Sequence, residues 1–224
     1  MPSLLIADDH PLFRAALRNA AIGAVADVEV READSLDGVL AALEAEPGID
    51  LVLLDLHMPG NHGLAGLAGL AAIRAQFPAV AVVLVSANED PHIVRRALDH
   101  GAAGYIPKSS GLDELRGAIR AVLACEQWLP PALRAAVTRA PSAPADSDLA
   151  ARLASLTPQQ FRVLVLVAEG LLNKQIADRL DVQERTVKAH LSAIFEKLGA
   201  RNRTQASVIL RELEITDPAR QSPA

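Results

Sequence analysis

The stretch Leu51-Val52-Leu53-Leu54-Asp55 decides the fold, because four consecutive apolar residues run directly into one acid. A short run that is apolar throughout is typical of a strand buried on both faces of a parallel sheet. Similar runs lie at Leu4–Ala7, Val28–Val30, Val80–Val85 and Gly104–Ile106. Helical patterns lie between and after them, at Pro11–Ala21, Ser35–Glu46, Leu64–Gln76, Pro91–His100 and Gly111–Leu123. This alternation predicts an α/β domain with a doubly wound, parallel, five-stranded sheet.

Charge divides the chain into two unlike parts. The 224 residues carry a net charge of −5, but residues 1–125 carry −7 and residues 150–215 carry +3. An acidic part followed by a basic part is typical of a metal-using domain joined to a DNA-using domain. The single cysteine, Cys125, excludes an internal disulfide framework and a multi-cysteine zinc site. The apolar runs are too short to span a bilayer and the N-terminus lacks the basic region of a secretory signal, so we expect a cytoplasmic protein.

Acidic residues follow two of the predicted strands. Asp8 and Asp9 follow the first strand and Asp55 ends the third, and these strands are neighbours in a doubly wound sheet. Three converging carboxylates repel one another unless a cation neutralises them, and oxygen ligands favour Mg²⁺. Ser86 follows the fourth strand and Lys108 the fifth. This set is typical of phosphoryl transfer to a carboxylate, with Asp55 as nucleophile and the Asp8–Asp9 pair holding metal.

Four motifs in this region resemble a known family. ADDHPLFR, LVLLDLHMPGNHG, VLVSA and GYIPKSS resemble the receiver domains of the NarL/FixJ subfamily of response regulators, over roughly residues 3–123. The resemblance implies a flavodoxin-like fold with Asp55 as the phosphoacceptor. It also implies a set of Mg²⁺ ligands: Asp8, Asp9, Asp55 and the backbone carbonyl of His57.

The same resemblance implies a switch. Ser86 and Tyr105 match the positions that shift on activation, and Lys108 matches the lysine that contacts the phosphoryl group. The stretch from Gly60 to Pro78 is longer than the family pattern, at the repeat GLAGLAGLA over residues 63–71. Glycines inside a helix weaken it by about 1 kcal/mol each relative to Ala, so the length of the third helix is an open question.

The residues from Leu149 onward show helical segments and no strand pattern. Thr157 and Gln160 form a capping box around Pro158 and so predict the start of a helix. A short helix over Asn173–Leu180, a turn and a longer helix over Glu184–Leu198 follow the helix-turn-helix plan.

The longer of these helices has two unlike faces. Apolar residues at helical spacing should pack inward: Val187, Leu191, Ile194 and Leu198. The opposite face combines basic and small residues: Arg185, Lys188, Ala189 and Ser192. Basic and small side chains together suit a helix that enters the major groove of DNA. Residues near helix ends suit contacts to DNA phosphates: Asn173, Lys174, Thr186, Arg201 and Arg203.

Residues 156–206 resemble the LuxR-type helix-turn-helix domain; they read LTPQQFRVLVLVAEGLLNKQIADRLDVQERTVKAHLSAIFEKLGARNRTQA. The resemblance implies dimer contacts by the last helix and assigns DNA contacts to six residues. It assigns contacts with bases to Lys188, Ala189 and Ser192. It assigns contacts with the DNA backbone to Lys174, Thr186 and Lys197. Gln183 stands where the family usually has a capping Ser, which predicts a less firm start of the longer helix.

Together these observations predict one organisation of the chain. Residues 1–125 form a receiver domain, 126–149 a linker with a short helix, 150–215 a four-helix DNA-binding domain and 216–224 a flexible tail. The predicted function is that of a two-component response regulator. A sensor histidine kinase phosphorylates Asp55 with Mg²⁺ and thereby controls binding of promoter DNA, with a homodimer as the active form and no membrane partner. No enzymatic activity is expected beyond self-phosphorylation and self-dephosphorylation.

Three alternatives stay open on the sequence. An aspartyl-phosphate hydrolase would need an acid two residues after Asp55, where His57 stands. A quorum sensor would need an aromatic-lined apolar pocket, but Phe13, Phe77 and Tyr105 are the only aromatic residues before position 110. The third alternative is a phosphorylation-independent DNA-binding regulator with a vestigial receiver.

Overall fold

The computed structural model describes residues 1–58, 66–140, 144–211 and 213. Within them a five-stranded parallel sheet has the order β2-β1-β3-β4-β5. Its strands are β1 (Ser3–Ala7), β2 (Glu29–Ala33), β3 (Leu51–Asp55), β4 (Ala81–Ser86) and β5 (Gly104–Pro107). The predicted doubly wound sheet is therefore confirmed.

Helices cover both faces of this sheet. They are α1 (Pro11–Ala24), α2 (Leu36–Ala45), α3 (Leu67–Gln76), α4 (Pro91–Asp99) and α5 (Leu112–Leu123). In β1, Leu4 and Ile6 join the core under α1 and α5, whereas Leu5 and Ala7 join the core under the other three helices. Strand side chains alternate between faces, so a strand with two buried faces must be apolar throughout, as the sequence predicted.

Helix α3 begins later than the predicted Leu64. Gly66 precedes it with φ of 65°, a left-handed conformation that glycine adopts without a steric cost. A methyl group added at Gly69 would lie 3.5 Å from the side chain of Leu36, an ordinary van der Waals contact, so α3 lies close to α2 at this position. The glycine repeat is thus described only from Gly66 onward, and residues 63–65 lie outside the described part of the chain.

The segment after α5 returns to the sheet. Trp128 forms an isolated bridge with Gly104, and a methyl group at Gly104 would lie only 2.8 Å from the Trp128 carbonyl oxygen. Helix α6 (Pro131–Arg139) follows this bridge. Helix α7 (Pro144–Ala154) then begins within residues 126–149, for which the sequence predicted a linker with one short helix. Leu149 and Leu153 lie one helical turn apart and pack into the core, which accounts for the helix.

In the C-terminal part that the structure describes, up to residue 213, four further helices follow: α8 (Pro158–Ala168), α9 (Asn173–Leu180), α10 (Glu184–Leu198) and α11 (Arg203–Arg211). Thr157 and Gln160 form the predicted capping box at the start of α8. Phe161 of α8 and Val187 of α10 are fully or almost fully buried in the shared core. The predicted helical helix-turn-helix domain is therefore confirmed.

The two domains pack against each other. Helices α3 and α4 contact α7, and α3 also contacts α8. The backbone N–H of Leu67 donates to the carbonyl of Leu213, 3.1 Å away. Among the described residues, we find no helix with the length and apolar character that crossing a bilayer requires.

Candidate phosphoacceptor and DNA-binding sites

The sheet brings the predicted acids together at one edge. Because β1 and β3 are paired with Ala7 opposite Leu54, the residues that follow these positions emerge side by side. Asp8 and Asp55 are both buried, and Asp9 is partly exposed. Carboxylate oxygens of the three acids and a ring nitrogen of His10 all lie within 4.8 Å of one another.

Lys108 joins two of these acids. Its Nζ lies 2.7 Å from Asp8 Oδ2 and 2.9 Å from Asp55 Oδ2. The backbone N–H of Lys108 donates to the carbonyl of Ser86, and its ammonium lies 4.9 Å from the centre of the Phe13 ring. The lysine therefore stands where it can neutralise charge on a group carried by Asp55.

Burial controls the ionisation of this site. Burial raises the pKa of Asp55, although hydrogen bonds from Lys108 and from the backbone N–H of His57 oppose the rise. Burial alone would lower the pKa of Lys108, but its contacts with Asp8 and Asp55 raise this pKa overall. Lys108 therefore keeps its positive charge. This charge only partly offsets the cost of burying the negatively charged carboxylate of Asp55. A hard cation coordinated by the same oxygens would supply the missing compensation.

The predicted switch residues lie beside this cluster. Tyr105 is fully buried, and its hydroxyl donates to the carbonyl of Asn88 at 2.5 Å. Burial raises the pKa of Tyr105 to about 12. Ser86 is buried and its Oγ accepts a hydrogen bond from the N–H of Asn88. Both predicted residues thus contact the same residue of the β4–α4 loop.

Two residues of the acidic site were missed on the sequence. No role was predicted for His10 from the sequence, yet its Nδ1 lies 2.8 Å from Asp9 Oδ1. Arg14, one turn along α1, donates to the carbonyl of Asp8 at 2.6 Å and so fixes the loop that carries the acids. Both residues follow the acidic pair closely and lie near the start of a helix. This position is the feature of the sequence that could have indicated their place in the acidic site.

The face of α10 predicted to read bases is exposed. Its four residues all point to solvent: Arg185, Lys188, Ala189 and Ser192. The apolar row from Val187 to Leu198 is buried, as predicted. Gln183 makes no side-chain cap at the start of α10, in line with the prediction from its departure from Ser. Glu184, for which the sequence predicted no role in this face, lies 3.0 Å from Lys188.

The residues predicted to contact phosphates fall into two groups. Lys174 and Arg201 are exposed, and Thr186 and Asn173 are partly exposed. Lys197 and Arg203 are partly buried and engaged within the protein.

The partners of these two basic residues belong to other helices or loops. Lys197 Nζ donates to the Ser155 carbonyl at 2.7 Å and to Gln160 Oε1 at 2.8 Å. Arg203 donates to Asn173 Oδ1 at 3.2 Å and to the Leu171 carbonyl.

Known families match both parts of the chain. Residues 4–120 match the family described as response regulator receiver domain, and residues 154–210 match the family described as bacterial regulatory proteins, luxR family. These two regions contain the acidic cluster and the exposed face of α10, respectively.

Full-length relatives share the same organisation. A glycerol metabolism activator of Pseudomonas putida is 40% identical over 219 residues, which cover 96% of this chain and 98% of that protein. The nitrate/nitrite response regulator protein NarL of Escherichia coli is 35% identical over 218 residues, covering 95% and 96%. The RcsB response regulator of Salmonella typhimurium has a TM-score of 0.58 at 23% identity, covering 93% of this chain and 97% of that one, which supports the fold alone. The chain therefore belongs to the NarL/FixJ-type response regulators, in which a receiver domain is joined to a LuxR-type DNA-binding domain that regulates transcription.

Proposed function

We propose that a sensor histidine kinase phosphorylates Asp55 and that this phosphorylation controls binding of promoter DNA. The observation that carries the proposal is the contact of one ammonium group, that of Lys108, with both Asp8 and Asp55. A cavity of about 570 Å³ opens beside it and is lined by residues that include His10, Phe13 and Asp55. This cavity gives a phosphodonor access to an otherwise buried carboxylate.

The proposed reaction is a displacement at phosphorus. A carboxylate oxygen of Asp55 bonds to the phosphorus of a phosphohistidine, and the bond from phosphorus to the histidine nitrogen breaks. Lys108 neutralises charge on the phosphoryl oxygens, and the Ser86 hydroxyl donates to one of them. The products are an acyl phosphate on Asp55 and a free histidine on the kinase. Beyond this reaction and the later loss of the phosphoryl group, we propose no enzymatic activity.

The acidic cluster suits Mg²⁺. Asp8, Asp9 and Asp55 would hold the ion, with the backbone carbonyl of His57 as a further ligand, and oxygen ligands are those that Mg²⁺ prefers. When bound, the ion supplies positive charge that offsets repulsion between the carboxylates and the incoming phosphoryl group. The burial that raises the pKa of Asp55 supports the assignment, because an unneutralised carboxylate is disfavoured there.

We further propose how the signal leaves this site. Ser86 and Tyr105 both contact Asn88, so a phosphoryl group that draws the Ser86 hydroxyl toward itself would disturb the β4–α4 loop. Helix α4 follows that loop and contacts α7, next to the DNA-binding domain. Reorientation of Ser86 and Tyr105 would thus alter the packing of the two domains.

The DNA-binding domain would act on promoter DNA in the cytoplasm, as a homodimer paired through α11. Lys188, Ala189 and Ser192 would read bases, with Arg185 beside them. Exposure of this face and of Val208 on α11 supports these roles. Phosphate contacts would come from Asn173, Lys174, Thr186 and Arg201.

Intact-mass measurement tests the phosphorylation. The protein is incubated with acetyl phosphate and Mg²⁺, and we expect a gain of one phosphoryl group that is absent in Asp55→Asn and in the presence of chelator. Asp113→Asn, which removes an exposed acid of α5, should leave the gain unchanged. A phosphoryl group that persists in Asp55→Asn would overturn the assignment of the phosphoacceptor.

One observation favours a second function, phosphorylation-independent DNA binding. The face of α10 that would read DNA is exposed, so the packing of the two domains leaves it open to DNA. Under this alternative, wild type and Asp55→Asn would bind a selected DNA duplex with equal affinity whether or not acetyl phosphate is present. A rise in affinity on phosphorylation, seen only in the wild type, supports the first function instead.

A further inference from the structure

Arg203 at the start of α11 is partly buried, and its guanidinium is engaged in hydrogen bonds within the protein. Its guanidinium donates through Nη1 to Asn173 Oδ1 at 3.2 Å and through Nη2 to the carbonyl of Leu171. Burial lowers its pKa, which is the expected effect on a cation that is partly removed from solvent.

The two acceptors lie on either side of one helix start. Leu171 is in the turn before α9, and Asn173 is the first residue of α9. Leu172 between them has no side-chain oxygen to cap the helix, and its own N–H donates to Gln175 Oε1 at 2.7 Å. A planar guanidinium can hold two acceptors in a fixed relation, which a single ammonium group cannot do as firmly. Arg203 therefore stabilises the path of the chain into α9 from a residue 30 positions away.

This contact also orients the side-chain amide of Asn173. Because Oδ1 accepts the hydrogen bond from Arg203, the NH₂ group of the amide is the group left to face outward. A phosphate oxygen accepts hydrogen bonds and cannot donate them, so only this orientation suits a phosphate contact. Lys174 follows Asn173 and is exposed, so the same helix start carries both proposed contacts.

We propose that Arg203 is a positioning residue for DNA binding, which acts through Asn173 and the turn before α9 and does not itself contact phosphate. The inference rests on the proposed DNA-binding function. It replaces the sequence-based expectation that Arg203 contacts DNA, whereas Lys174 and Arg201 keep that role.

The salt dependence of DNA affinity separates a positioning role from a phosphate contact. The probe is a short duplex recovered from a random pool by in vitro selection with the wild-type chain, and affinity is measured by fluorescence anisotropy over a series of salt concentrations. Each lost phosphate contact makes the slope of log K against log salt shallower by about 0.9. We expect this change for Lys174→Ala and not for Arg203→Ala, although Arg203→Ala should still lower the affinity about tenfold.

Two further variants test the route of action. Arg203→Lys keeps the charge but loses the paired donors, so it should bind DNA nearly as weakly as Arg203→Ala. Arg203→Ala and Asn173→Ala should be coupled, with the double variant no weaker than the worse single variant. Arg139→Ala removes an exposed arginine of α6 and should change neither the affinity nor the slope. A purely structural role would lower the thermal midpoint of Arg203→Ala without this coupling in DNA affinity.

Side-chain amide signals of Asn173 in a ¹⁵N–¹H spectrum give a readout that needs no DNA. We expect them to shift in Arg203→Ala and Arg203→Lys and to stay in place in Lys174→Ala. The proposal is overturned if these signals do not move, or if Arg203→Ala shows a slope about 0.9 shallower and effects additive with Asn173→Ala. Failure of the wild type to recover any duplex from the random pool would refute the DNA-binding function, while the amide signals would still decide whether Arg203 positions Asn173.

Discussion

Arg162 of α8 forms an ion pair with Glu44 of α2, so a charged contact joins the DNA-binding domain to the receiver. Both side chains are nearly half exposed, at 42% and 47%. Ion pairs in such positions contribute at most about 1 kcal/mol, and salt screens them. The pair therefore contributes little to the packing of the two domains, in which α3 and α4 also contact α7.

A double-mutant cycle should detect this domain contact. Glu44→Gln and Arg162→Gln should each lower the free energy of unfolding slightly, with a coupling energy of up to about 1 kcal/mol at low salt. High salt should remove the coupling, because the pair is half exposed. Urea unfolding at two ionic strengths measures the coupling energy and its dependence on salt. The pair Arg116 and Asp113 within α5 serves as a control, since its coupling does not depend on how the domains pack. Strict additivity at low salt would contradict the ion pair between Glu44 and Arg162.

The ionisation of Asp55 predicts a pH-dependent gain in stability for Asp55→Asn. Burial raises the folded-state pKa above that of the unfolded chain, so folding favours the neutral carboxyl. The wild type keeps that contribution below the unfolded pKa and loses it as pH rises through the folded pKa. Asp55→Asn should therefore be the more stable protein near neutral pH, by about 1 kcal/mol in chelator, and lose this advantage in acid. Thermal unfolding from pH 3 to pH 8 follows the difference; a constant advantage at every pH would contradict it.

Mg²⁺ should make the wild type more stable than Asp55→Asn near neutral pH. A ligand that binds only the folded state stabilises it by about 2.7 kcal/mol at a hundred times its dissociation constant. We expect Mg²⁺ to raise the thermal midpoint of the wild type and to have little effect on Asp8→Asn, Asp9→Asn or Asp55→Asn. Asp113→Asn, an exposed acid outside the cluster, should respond like the wild type. An equal response of all variants would place the ion elsewhere.

Tyr105 is the only tyrosine in the chain, so its phenolate absorbance can be followed without ambiguity. Burial raises its pKa to about 12 from an ordinary value of 10.0. Because the folded-state pKa is the higher one, the stability that Tyr105 contributes is complete below pH 10.0 and is lost as pH rises toward about 12. Absorbance near 295 nm should thus stay flat in the folded protein at pH 10 and rise there in denaturant. A phenolate signal at pH 10 in the folded protein would show that Tyr105 is not buried.

The acidic site was predictable because it depends on topology alone. A strand that ends in an acid delivers that acid to the carboxyl edge of the sheet, and parallel pairing of β1 with β3 places Asp8 near Asp55. Lys108 could be placed for the same reason, since it follows β5. Register and strand order determine such positions, whichever rotamers the side chains adopt.

The direction of a long basic side chain could not be predicted in this way. Lys197 and Arg201 lie close together in sequence, yet Lys197 turns inward to Gln160 whereas Arg201 is exposed. The choice depends on carbonyl and amide acceptors of distant helices, which no local pattern reveals. Helix α7 could not be predicted from the local sequence either, because Leu149 and Leu153 contact their apolar partners only in the folded chain.

The ion pair between Glu184 and Lys188 leads to a prediction about DNA specificity. The two side chains lie 3.0 Å apart, one turn from each other on the exposed face of α10. If Lys188 reads a base, as proposed, it must leave Glu184, and the carboxylate would then lie close to the negatively charged DNA. Lys188→Ala should therefore lower affinity for the selected duplex about tenfold and relax the preference at one base pair. Glu184→Gln should raise affinity for all sequences, because it frees Lys188 and removes a negative charge.

Anisotropy titrations with the selected duplex and with single-base variants measure both effects. Glu126→Gln removes an exposed acid after α5, far along the chain from α10, and should leave affinity unchanged. If Lys188 contacted only phosphate, Lys188→Ala would weaken binding to all duplexes equally and make the salt slope shallower by about 0.9 without relaxing any base preference. That result would move base reading to Arg185 or Ser192, the other exposed polar residues predicted on this face of α10.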